Sequence, residues 1–477
     1  MADTDPAAAT RKLEKACKLI VNWLSSIKLD VNAPKTAFLL FDWIKSNPTL
    51  SLSINLLDVV IPASVSTVYL GLTIDCHLSW NQHITSKCSS LGRLLFSLKQ
   101  CLALTWGLNR QRLQSLYHLI AEPTILYACS VWAAAGCTKS QVKRLRSAQR
   151  RFSILILRAF RTSSTEGLLL LSGLTPIDYR LREITSIRFL QFSNTLSFCP
   201  SSAKIANFLL RSSNAPAELE ILQRAHFQNY PPWSSRPLPI VEKINREPIL
   251  PLAASGPSAV NIYTDGSVIN ESVGFAIAVA DQNDIIYKLQ VSLPKHCSAY
   301  QAECCALRQA LQWINQTAYT FETYNIYSDS STALAAATST NCSKQPLLIN
   351  EIKRLLLEMN DRMIIHWLPS HCGHVGNELA DKLAKEAAQQ RSMPETILPA
   401  CKNYVKTIIR KQQSINWNQE WSKCKTGRTT WSFFPTSQAA QILNQLDVPY
   451  QVTQLLTGHC QLNSYLHRFK LTSSPLC

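Results

Sequence analysis

The chain has 477 residues, 46% of them hydrophobic and 17% charged, which suits two or three globular domains and excludes a disordered polymer. Its 48 Lys and Arg against 31 Asp and Glu give a net charge of +17, a balance that favours polyanionic partners and above all nucleic acid. No apolar run reaches the ~18 residues of a membrane span, and 16 scattered cysteines without a signal peptide do not suggest a disulfide framework. We therefore expect an intracellular protein, nuclear or cytoplasmic, with no membrane partner.

The first 213 residues are mainly helical by their hydrophobic pattern. Apolar side chains recur at helical spacing over Arg11–Leu24, Asn109–Tyr127 and Gln141–Phe160. A short strand pair, Ala37–Phe41 with Val68–Ile74, is predicted between the first two of these helices.

The third of these helices is dense in cations. A run of charge is usually a solvated face, but cations without compensating acids favour contact with phosphate groups. We therefore take four of its arginines as candidate nucleic-acid contacts: Arg144, Arg146, Arg150 and Arg151.

The pattern changes after residue 213. Eight prolines between Asn214 and Pro257 predict a semi-extended linker over 214–256. Strands and helices then alternate up to residue 391, and a basic, Trp-containing tail covers 392–477. The elements predicted within 257–391 are three strands (Asn261–Asp265, Gly274–Ala280, Ile285–Val291), a helix (Ser298–Asn315), a strand (Thr323–Asp329), a helix (Leu347–Met359), a strand (Met363–Leu368) and a helix (Asn377–Gln389). This order predicts an α/β fold with a mixed five-stranded sheet.

The α/β segment is acidic within a basic chain. Residues 258–391 contain 10 basic and 13 acidic residues, whereas the remainder contains 38 and 18. Such a distribution is typical of a metal-dependent nuclease flanked by regions that bind phosphate.

Four acids of this segment stand at unusual places. Asp265 and Asp329 end predicted strands, Glu303 lies on the apolar face of a helix, and Asp381 falls in the first turns of the last helix. Taken singly, Asp265 could be a turn residue and Asp381 could complement a helix dipole. Together, the four acids would repel one another unless a divalent metal lay among them. Oxygen ligands without a nearby Cys/His set indicate Mg²⁺ or Mn²⁺.

A histidine-containing loop precedes the last helix. His371 lies in the loop 369–377, close in sequence to the acids of that helix. A lone loop histidine is usually unremarkable, but this position makes His371 a candidate for moving protons.

Four segments resemble, in order, the motifs of type-1 ribonuclease H: Tyr263-Thr264-Asp265-Gly266-Ser267, Gln301-Ala302-Glu303, Ser328-Asp329-Ser330 and Gly376-Asn377-Glu378-Leu379-Ala380-Asp381-Lys382-Leu383-Ala384. The resemblance implies a ribonuclease H-like fold over 257–391, with helices on both faces of the sheet. It implies that Asp265, Glu303, Asp329 and Asp381 hold two Mg²⁺ ions, with Mn²⁺ as an alternative. The implied reaction is two-metal hydrolysis of the RNA strand of an RNA–DNA hybrid, leaving 5′-phosphate and 3′-hydroxyl ends.

Further residues of these motifs receive roles from the same resemblance. His371 would assist proton transfer or product departure, and Ser267 and Asn377 are candidate nucleic-acid contacts. Two features differ from the family. Residues 268–272 replace a glycine-rich stretch, and 338–345 contain a single Lys in place of a basic protrusion. Binding of the hybrid is therefore expected to depend on the basic flanks.

The flanks resemble a non-LTR retrotransposon reverse transcriptase polyprotein. The similar segments are Tyr69-Leu70-Gly71-Leu72, Ser79-Trp80-Asn81-Gln82-His83-Ile84 and Leu456-Thr457-Gly458-His459. Only Met1-Ala2-Asp3 resembles the end of the paired-aspartate motif, and the chain stops before a zinc-binding cluster would begin, so we expect a truncated copy without polymerase activity. The alternative to an active nuclease is a catalytically silent nucleic-acid-binding remnant.

Overall fold

The computed structural model describes residues 5–41, 52–100, 108–134, 136–195, 241–243, 259–282, 284–317, 321–338, 346–359, 363–370, 372–389, 398, 402–446, 448–460 and 462–476. The chain forms two compact units. Unit 1 comprises Met1–Ser186 together with Gln412–Cys477, and unit 2 comprises Ile187–Lys411. This division differs from the predicted boundaries, because most of the C-terminal tail shares a unit with the N-terminal region.

The N-terminal region of unit 1 is mainly helical, as the hydrophobic pattern predicts. Its first helix begins where the carboxylate of Asp5 accepts hydrogen bonds from two backbone N–H groups and Pro6 fixes the first turn. Its helices are α1 (Pro6–Ser26), α2 (Asn81–Gln100), α3 (Arg110–Leu116), α4 (Glu122–Leu126), α5 (Cys129–Trp132), α6 (Lys139–Leu157), α7 (Thr165–Leu171) and α8 (Ile177–Thr195, whose last residues belong to unit 2).

The short strands of unit 1 do not pair as predicted. Phe38–Leu39 (β1) pairs with Val59–Ser64 (β3), which also pairs with Ser53–Leu56 (β2). The predicted strand Val68–Ile74 is instead a hairpin of Ser66–Tyr69 (β4) and Leu72–Asp75 (β5). Gly71 adopts a φ of 77° in its turn, which is readily accessible only to glycine.

The helix predicted over 109–127 is interrupted by a π-helical stretch, Tyr117–Ala121, between α3 and α4. Pro123 follows this stretch within α4, and its backbone nitrogen carries no hydrogen for the regular helical pattern. The missing donor favours a local change of hydrogen bonding in the preceding turn. Helix α6 follows the prediction closely and begins with a capping box of Thr138 and Gln141. Its buried face, including Leu145 and Phe152, joins the main apolar core of unit 1.

The tail folds against this helical core. Its helices are α13 (Lys402–Lys423), α14 (Arg428–Phe433), α15 (Ser437–Ala440), α16 (Ile442–Gln445), α17 (Tyr450–Thr457) and α18 (Asn463–Arg468). Trp417 and Trp421 of α13 pack with Leu170 of α7 and Tyr179 of α8. The Trp421 indole N–H also donates to the Phe434 carbonyl oxygen at 2.9 Å, so the tail contributes part of the core.

Unit 2 contains the predicted mixed sheet, and its fold class is confirmed. The strands are β6 (Val241–Lys243), β7 (Ala259–Ile269), β8 (Ser272–Asp281), β9 (Asp284–Leu293), β10 (Thr323–Ser328) and β11 (Met363–Trp367). Their order across the sheet is β6-β11-β10-β7-β8-β9. The first three sequential strands, β7 to β9, are antiparallel, whereas β6, β11, β10 and β7 are parallel. The short sixth strand comes from the segment predicted as a linker, so part of that segment belongs to the sheet.

Helices cover both faces of this sheet. They are α9 (Ala299–Gln316), α10 (Ser331–Thr338), α11 (Pro346–Glu358) and α12 (Val375–Gln389). The larger core lies between the sheet and α9 with α11, and includes Ile262, Ile277 and Leu307. On the other face, α12 packs closely over the small residues Ala276 and Ala278. Across the described parts of both units, every helix falls short of the length and apolarity needed to cross a bilayer.

Candidate active site

The site begins at the first long strand of unit 2. Asp265 lies inside β7, paired with Ala276 of β8, and is 6% exposed, so it is not a turn residue. Its neighbour Gly266 faces α9. A Cβ at Gly266 would lie 2.5 Å from the backbone nitrogen of Glu303. The missing side chain at Gly266 thus lets the helix cross directly over the strand.

Glu303 is placed by the start of α9. The Ser298 hydroxyl accepts from the Gln301 N–H at 3.3 Å, and the Gln301 side chain accepts from the Ser298 N–H at 3.0 Å. This capping box fixes the first turn of the helix. Glu303 follows in the next turn, and its Oε2 atom is buried without a hydrogen-bond partner among the described residues.

Asp329 directly follows strand β10. Its backbone carbonyl accepts from the Ser331 N–H at 3.0 Å and from the Trp367 indole N–H at 3.1 Å. These two hydrogen bonds fix the backbone where β10 leads into α10. The Asp329 side chain is half-buried.

Asp265, Glu303 and Asp329 converge, with one carboxylate oxygen of each within 4.8 Å of the others. Burial, followed by the charges of Asp329 and Asp381, raises the pKa of Asp265 to about 7. Burial, followed by the charges of Asp265 and Asp329, raises the pKa of Glu303 to about 9. The Gly266 N–H acts in the opposite direction on both carboxyls but is outweighed.

Asp381 stands at the margin of this group. Its Oδ2 accepts from the Lys385 ammonium at 2.6 Å, one helical turn along α12. The same contact raises the pKa of Lys385. Asp381 nevertheless contributes to the raised pKa values of Asp265 and Glu303, so its charge acts on the three-carboxylate cluster.

Aromatic rings support the sheet face that carries Tyr263. Tyr263, Tyr327 and His366 stack across three neighbouring strands, with ring centroids 5.0 Å and 4.7 Å apart. A Cβ at Gly376, in the first turn of α12, would overlap the Tyr263 ring. The stack thus determines how closely the start of α12 approaches the sheet.

The remaining predicted residues of unit 2 lie in different environments. His371 lies outside the described residues. Ser267 is half-buried in β7, two residues beyond Asp265. Asn377 is 4% exposed, and its Oδ1 has no hydrogen-bond partner in the described part of the chain. His374, in the same loop as His371, is also 4% exposed.

The four candidate arginines of α6 lie in unit 1 and are not equivalent. Arg146 is paired with Asp178 and Glu420, each at 2.7 Å. Arg150 donates to two backbone carbonyls at 2.6 Å, and Arg144 donates to the Thr85 hydroxyl. Of the four, only Arg151 is exposed, whereas the other three are half-buried. The expectation of cations without compensating acids is therefore corrected for Arg146, the one arginine of the four that forms ion pairs among the described residues.

Three residues outside the predicted set contribute to the site. Lys385 has a readable signal, because a Lys four residues after Asp381 on a helix is a recognisable ion-pair spacing. In the sequence, the Asp-Gly pair that contains Gly266 is a turn signal. It does not predict the close contact between Gly266 and helix α9. Trp367 carries no signal, since its contact with the Asp329 backbone joins two strands that are distant in sequence.

A divalent cation fits this carboxylate group. Three oxygens lie within reach of one ion, and one buried oxygen lacks a hydrogen-bond partner among the described residues. The raised pKa values reflect burial first and the neighbouring carboxylate charges second. An all-oxygen donor set suits Mg²⁺ or Mn²⁺ better than zinc. The described residues offer no second group of three such ligands.

The sheet order and its carboxylates define a known class of domain. Residues 257–389 match the family model of RNase H, and this segment is an RNase H domain. The match covers the mixed sheet from β7 onwards and the four helices on its faces.

The chain is similar to R1 retrotransposon proteins. It is 28% identical over 198 residues to the retrovirus-related Pol polyprotein from type-1 retrotransposable element R1 4 of Nasonia vitripennis, covering 38% of this chain and 50% of that polyprotein. It is 28% identical over 118 residues to the putative 115 kDa protein in type-1 retrotransposable element R1DM of Drosophila melanogaster, covering 25% and 12%. The chain thus spans half or less of these relatives.

Solved structures of RNase H domains also align with the chain. One is LC11-RNase H1 in complex with RNA/DNA hybrid, at 19% identity and a TM-score of 0.24, covering 27% of this chain and 96% of that one. Another is an N-terminal RNase H domain from Mycobacterium tuberculosis, at 20% identity and a TM-score of 0.23, covering 27% and 98%.

Proposed function

We propose that this chain cleaves the RNA strand of RNA–DNA hybrids by metal-dependent hydrolysis. The observation that carries the proposal is the convergence of Asp265, Glu303 and Asp329 on one point, with a buried, unpartnered oxygen of Glu303 among the described residues. Such an arrangement is costly for a fold unless a cation neutralises it. The RNase H family match over 257–389 supports the choice of substrate.

Each residue of the site would have a distinct task. Asp265, Glu303 and Asp329 would hold divalent ions, with Asp381 completing the set once its carboxylate leaves Lys385. Two Mg²⁺ ions, when bound, would supply an activated water and stabilisation of the leaving oxygen. Trp367 holds the Asp329 backbone in position, and Gly266 allows Glu303 to reach Asp265. Discrimination of RNA from DNA would use the 2′-hydroxyl group.

Three further roles belong to this proposal. Ser267 is half-buried beside Asp265 in β7, a position from which its hydroxyl could bind the nucleic-acid backbone. Asn377 would contact the nucleic acid at the start of α12, where its side chain is buried and its Oδ1 has no hydrogen-bond partner among the described residues. His371 would move a proton or help the product leave, and His371→Ala should slow turnover roughly 10²-fold. Cys372→Ala is a better control than a change at a buried histidine of the same loop, because Cys372 is half-exposed.

The decisive experiment compares charge-removing variants of near-identical volume. Asp265→Asn and Glu303→Gln should abolish Mg²⁺-dependent cleavage of a labelled hybrid, while EDTA should abolish cleavage by the parent chain. Glu378→Gln is the matched control, because Glu378 is an exposed acid on the same helix as Asp381. Cleavage at the parental rate by Asp265→Asn would contradict the proposal. Hybrid binding without cleavage by the parent chain would instead identify a catalytically silent binding protein.

A further inference from the structure

The helical part of unit 1 neutralises its own acids internally. Residues 108–186 and 412–477 contain 17 Lys and Arg against six Asp and Glu. Five of these acids are described, and each forms an ion pair with one of two arginines. Arg146 contacts Asp178, Glu420 and Glu166, and Arg180 contacts Glu122 and Glu183. The sixth acid, Asp447, lies outside the described residues.

Helix α6 has exposed cations on its surface. Its residues include six cations and no acid, and the neighbouring α2 includes three cations and no acid. Lys139, Lys143, Ser147 and Arg151 are all exposed. They follow one another at intervals of four residues, so they form one ridge with a rise of about 6 Å between successive positions. We call these four positions the α6 ridge.

Helix α2 forms the flank of the α6 ridge. Arg144 donates to the Thr85 hydroxyl of α2, which places its guanidinium between the two helices. Arg144 and Arg151 both act on the Cys88 thiol of α2, lowering its pKa against a larger rise from burial. One turn further, a Cβ at Gly92 of α2 would meet no atom within 4 Å. Arg144 therefore adds a cation beside the ridge, at its boundary with α2.

We propose that the α6 ridge binds the phosphate backbone of an RNA–DNA hybrid, independently of the carboxylate site in unit 2. The choice of a hybrid rests on the proposed function. Charge complementarity argues for this occupant, because the ridge helix and its neighbour α2 contain nine cations and no carboxylate to compete with phosphate. Regular spacing along one helix suits a repeating polyanion. Arg146 and Arg150 are not part of this surface, since their guanidiniums are used within the fold.

Binding is tested without catalysis. The full chain is titrated into a fluorescently labelled hybrid in EDTA at several KCl concentrations, and the slope of log Kd against log salt is measured by anisotropy. The triple variant Lys139→Gln, Lys143→Gln, Arg151→Gln should lower the magnitude of this slope by about 2 to 3, at about 0.9 for each phosphate that is no longer neutralised. The matched control, Lys15→Gln, Lys18→Gln, Lys425→Gln, removes the same charge from exposed positions elsewhere in unit 1. Its slope should stay close to that of the parent chain.

Adding a positive charge to the ridge is an independent test, because it needs one substitution and does not require the fold to tolerate three. Ser147→Arg fills the uncharged position of the ridge and should increase the magnitude of the slope by about 0.9. Ser422→Arg, at an exposed position in the tail, is its control. Equal slopes for the ridge variants and their controls would overturn the proposal and leave only a general effect of net charge. Because EDTA is present throughout, failure of the proposed cleavage activity cannot produce either result.

Discussion

At the scale of single residues, the candidate site is defined by charge that the protein does not neutralise. Asp265 and Glu303 are removed from water and face other carboxylates, so both favour the protonated form. Buried carboxyl groups that repel one another are typical of a functional site, here one that would bind a cation. The built-in cation Lys385 pairs with Asp381 at the edge of the cluster.

The raised pKa values predict how stability depends on pH in the absence of metal. The folded pKa values of about 7 for Asp265 and about 9 for Glu303 exceed the ordinary values of 3.8 and 4.5. Between the ordinary and the folded pKa values, the folded chain binds more protons than the unfolded chain. The stability that the two protonated carboxyls contribute at low pH is therefore lost as the pH rises towards 9. We expect the Tm in EDTA to fall from pH 5 to pH 9, and Mg²⁺ to reduce this fall.

Substitutions test whether this pH dependence of the Tm comes from the three-carboxylate cluster. Asp265→Asn should raise the Tm at pH 9 in EDTA, because one repelling charge is removed with little change in volume. Asp284→Asn, at an exposed position, should have no such effect. A parental pH profile in Asp265→Asn would show that the carboxylates are not electrostatically coupled.

Lys385 is predicted to oppose metal binding. Lys385→Met frees the Asp381 carboxylate and removes a nearby positive charge, so Mg²⁺ affinity should increase by about two- to fivefold, a modest change because the lysine is largely exposed. Isothermal titration of Mg²⁺ without substrate measures it. Lys382→Met is the control, since Lys382 is also exposed and lies one residue from Asp381. Unchanged affinity in Lys385→Met would mean that the ion pair persists when metal binds.

At the scale of secondary-structure elements, close approach decides the geometry of the site. Helix α9 crosses β7 at Gly266, and α12 packs over small residues of β8. These approaches bring carboxylates from a helix and two strands to one point. The positions of the elements, and not only the identities of the acids, therefore determine the metal site.

Gly266→Ala should test the effect of element position on the metal site, because it changes none of the acids. The added Cβ would meet backbone atoms of Ala302 and Glu303, which cannot move independently of α9. We expect destabilisation by about 1 to 3 kcal/mol, as for overpacking, and a loss of Mg²⁺ affinity. Thermal unfolding and Mg²⁺ titration measure the two consequences. Gly92→Ala in α2 is the control, because nothing lies within 4 Å of its added Cβ. Normal Mg²⁺ affinity in Gly266→Ala would show that α9 can shift without loss of the site.

At the scale of the whole molecule, the chain returns to its first unit after the RNase H domain. Helix α13 brings Trp417, Trp421 and Glu420 to the helices of the N-terminal region. The stability of unit 1 thus depends on residues that are far apart in sequence, such as Arg146 and Glu420, which are separated by 274 positions. The tail is part of a fold and not an appendage to the RNase H domain.

Trp421→Ala is predicted to destabilise unit 1 selectively. Its side chain is 1% exposed, and loss of a buried Trp costs about 3 to 5 kcal/mol. Hydrogen exchange should show faster exchange in peptides from α6 to α8, with the strands β7 to β10 of unit 2 unchanged. Trp23→Ala is the control, because Trp23 is 62% exposed on α1. Equal protection of α6 to α8 in both variants would show that the tail does not support the N-terminal helices.

The sequence alone predicted the features that depend on short-range pattern. Alternation and helical spacing indicated the order of strands and helices from β7 to α12, except for the short helix α10, which was not predicted. Four short motifs identified Asp265, Glu303, Asp329 and Asp381 as candidates. Such features are readable because the side-chain period of a helix or strand is fixed by its geometry. The confirmed fold class follows from that order.

Only the tertiary structure decided which partners distant residues have. Arg146 is an internal ion-pair residue because the fold brings Glu420 to it, whereas Arg151 on the same helix is exposed. Gly266 lies inside a strand, and not in a turn, because α9 packs over it. Residues 241–243 join the sheet because they pair in parallel with β11. Hydrogen bonds and close packing between distant segments do not follow the repeating side-chain spacing of a helix or strand, so no pattern in the sequence predicted them.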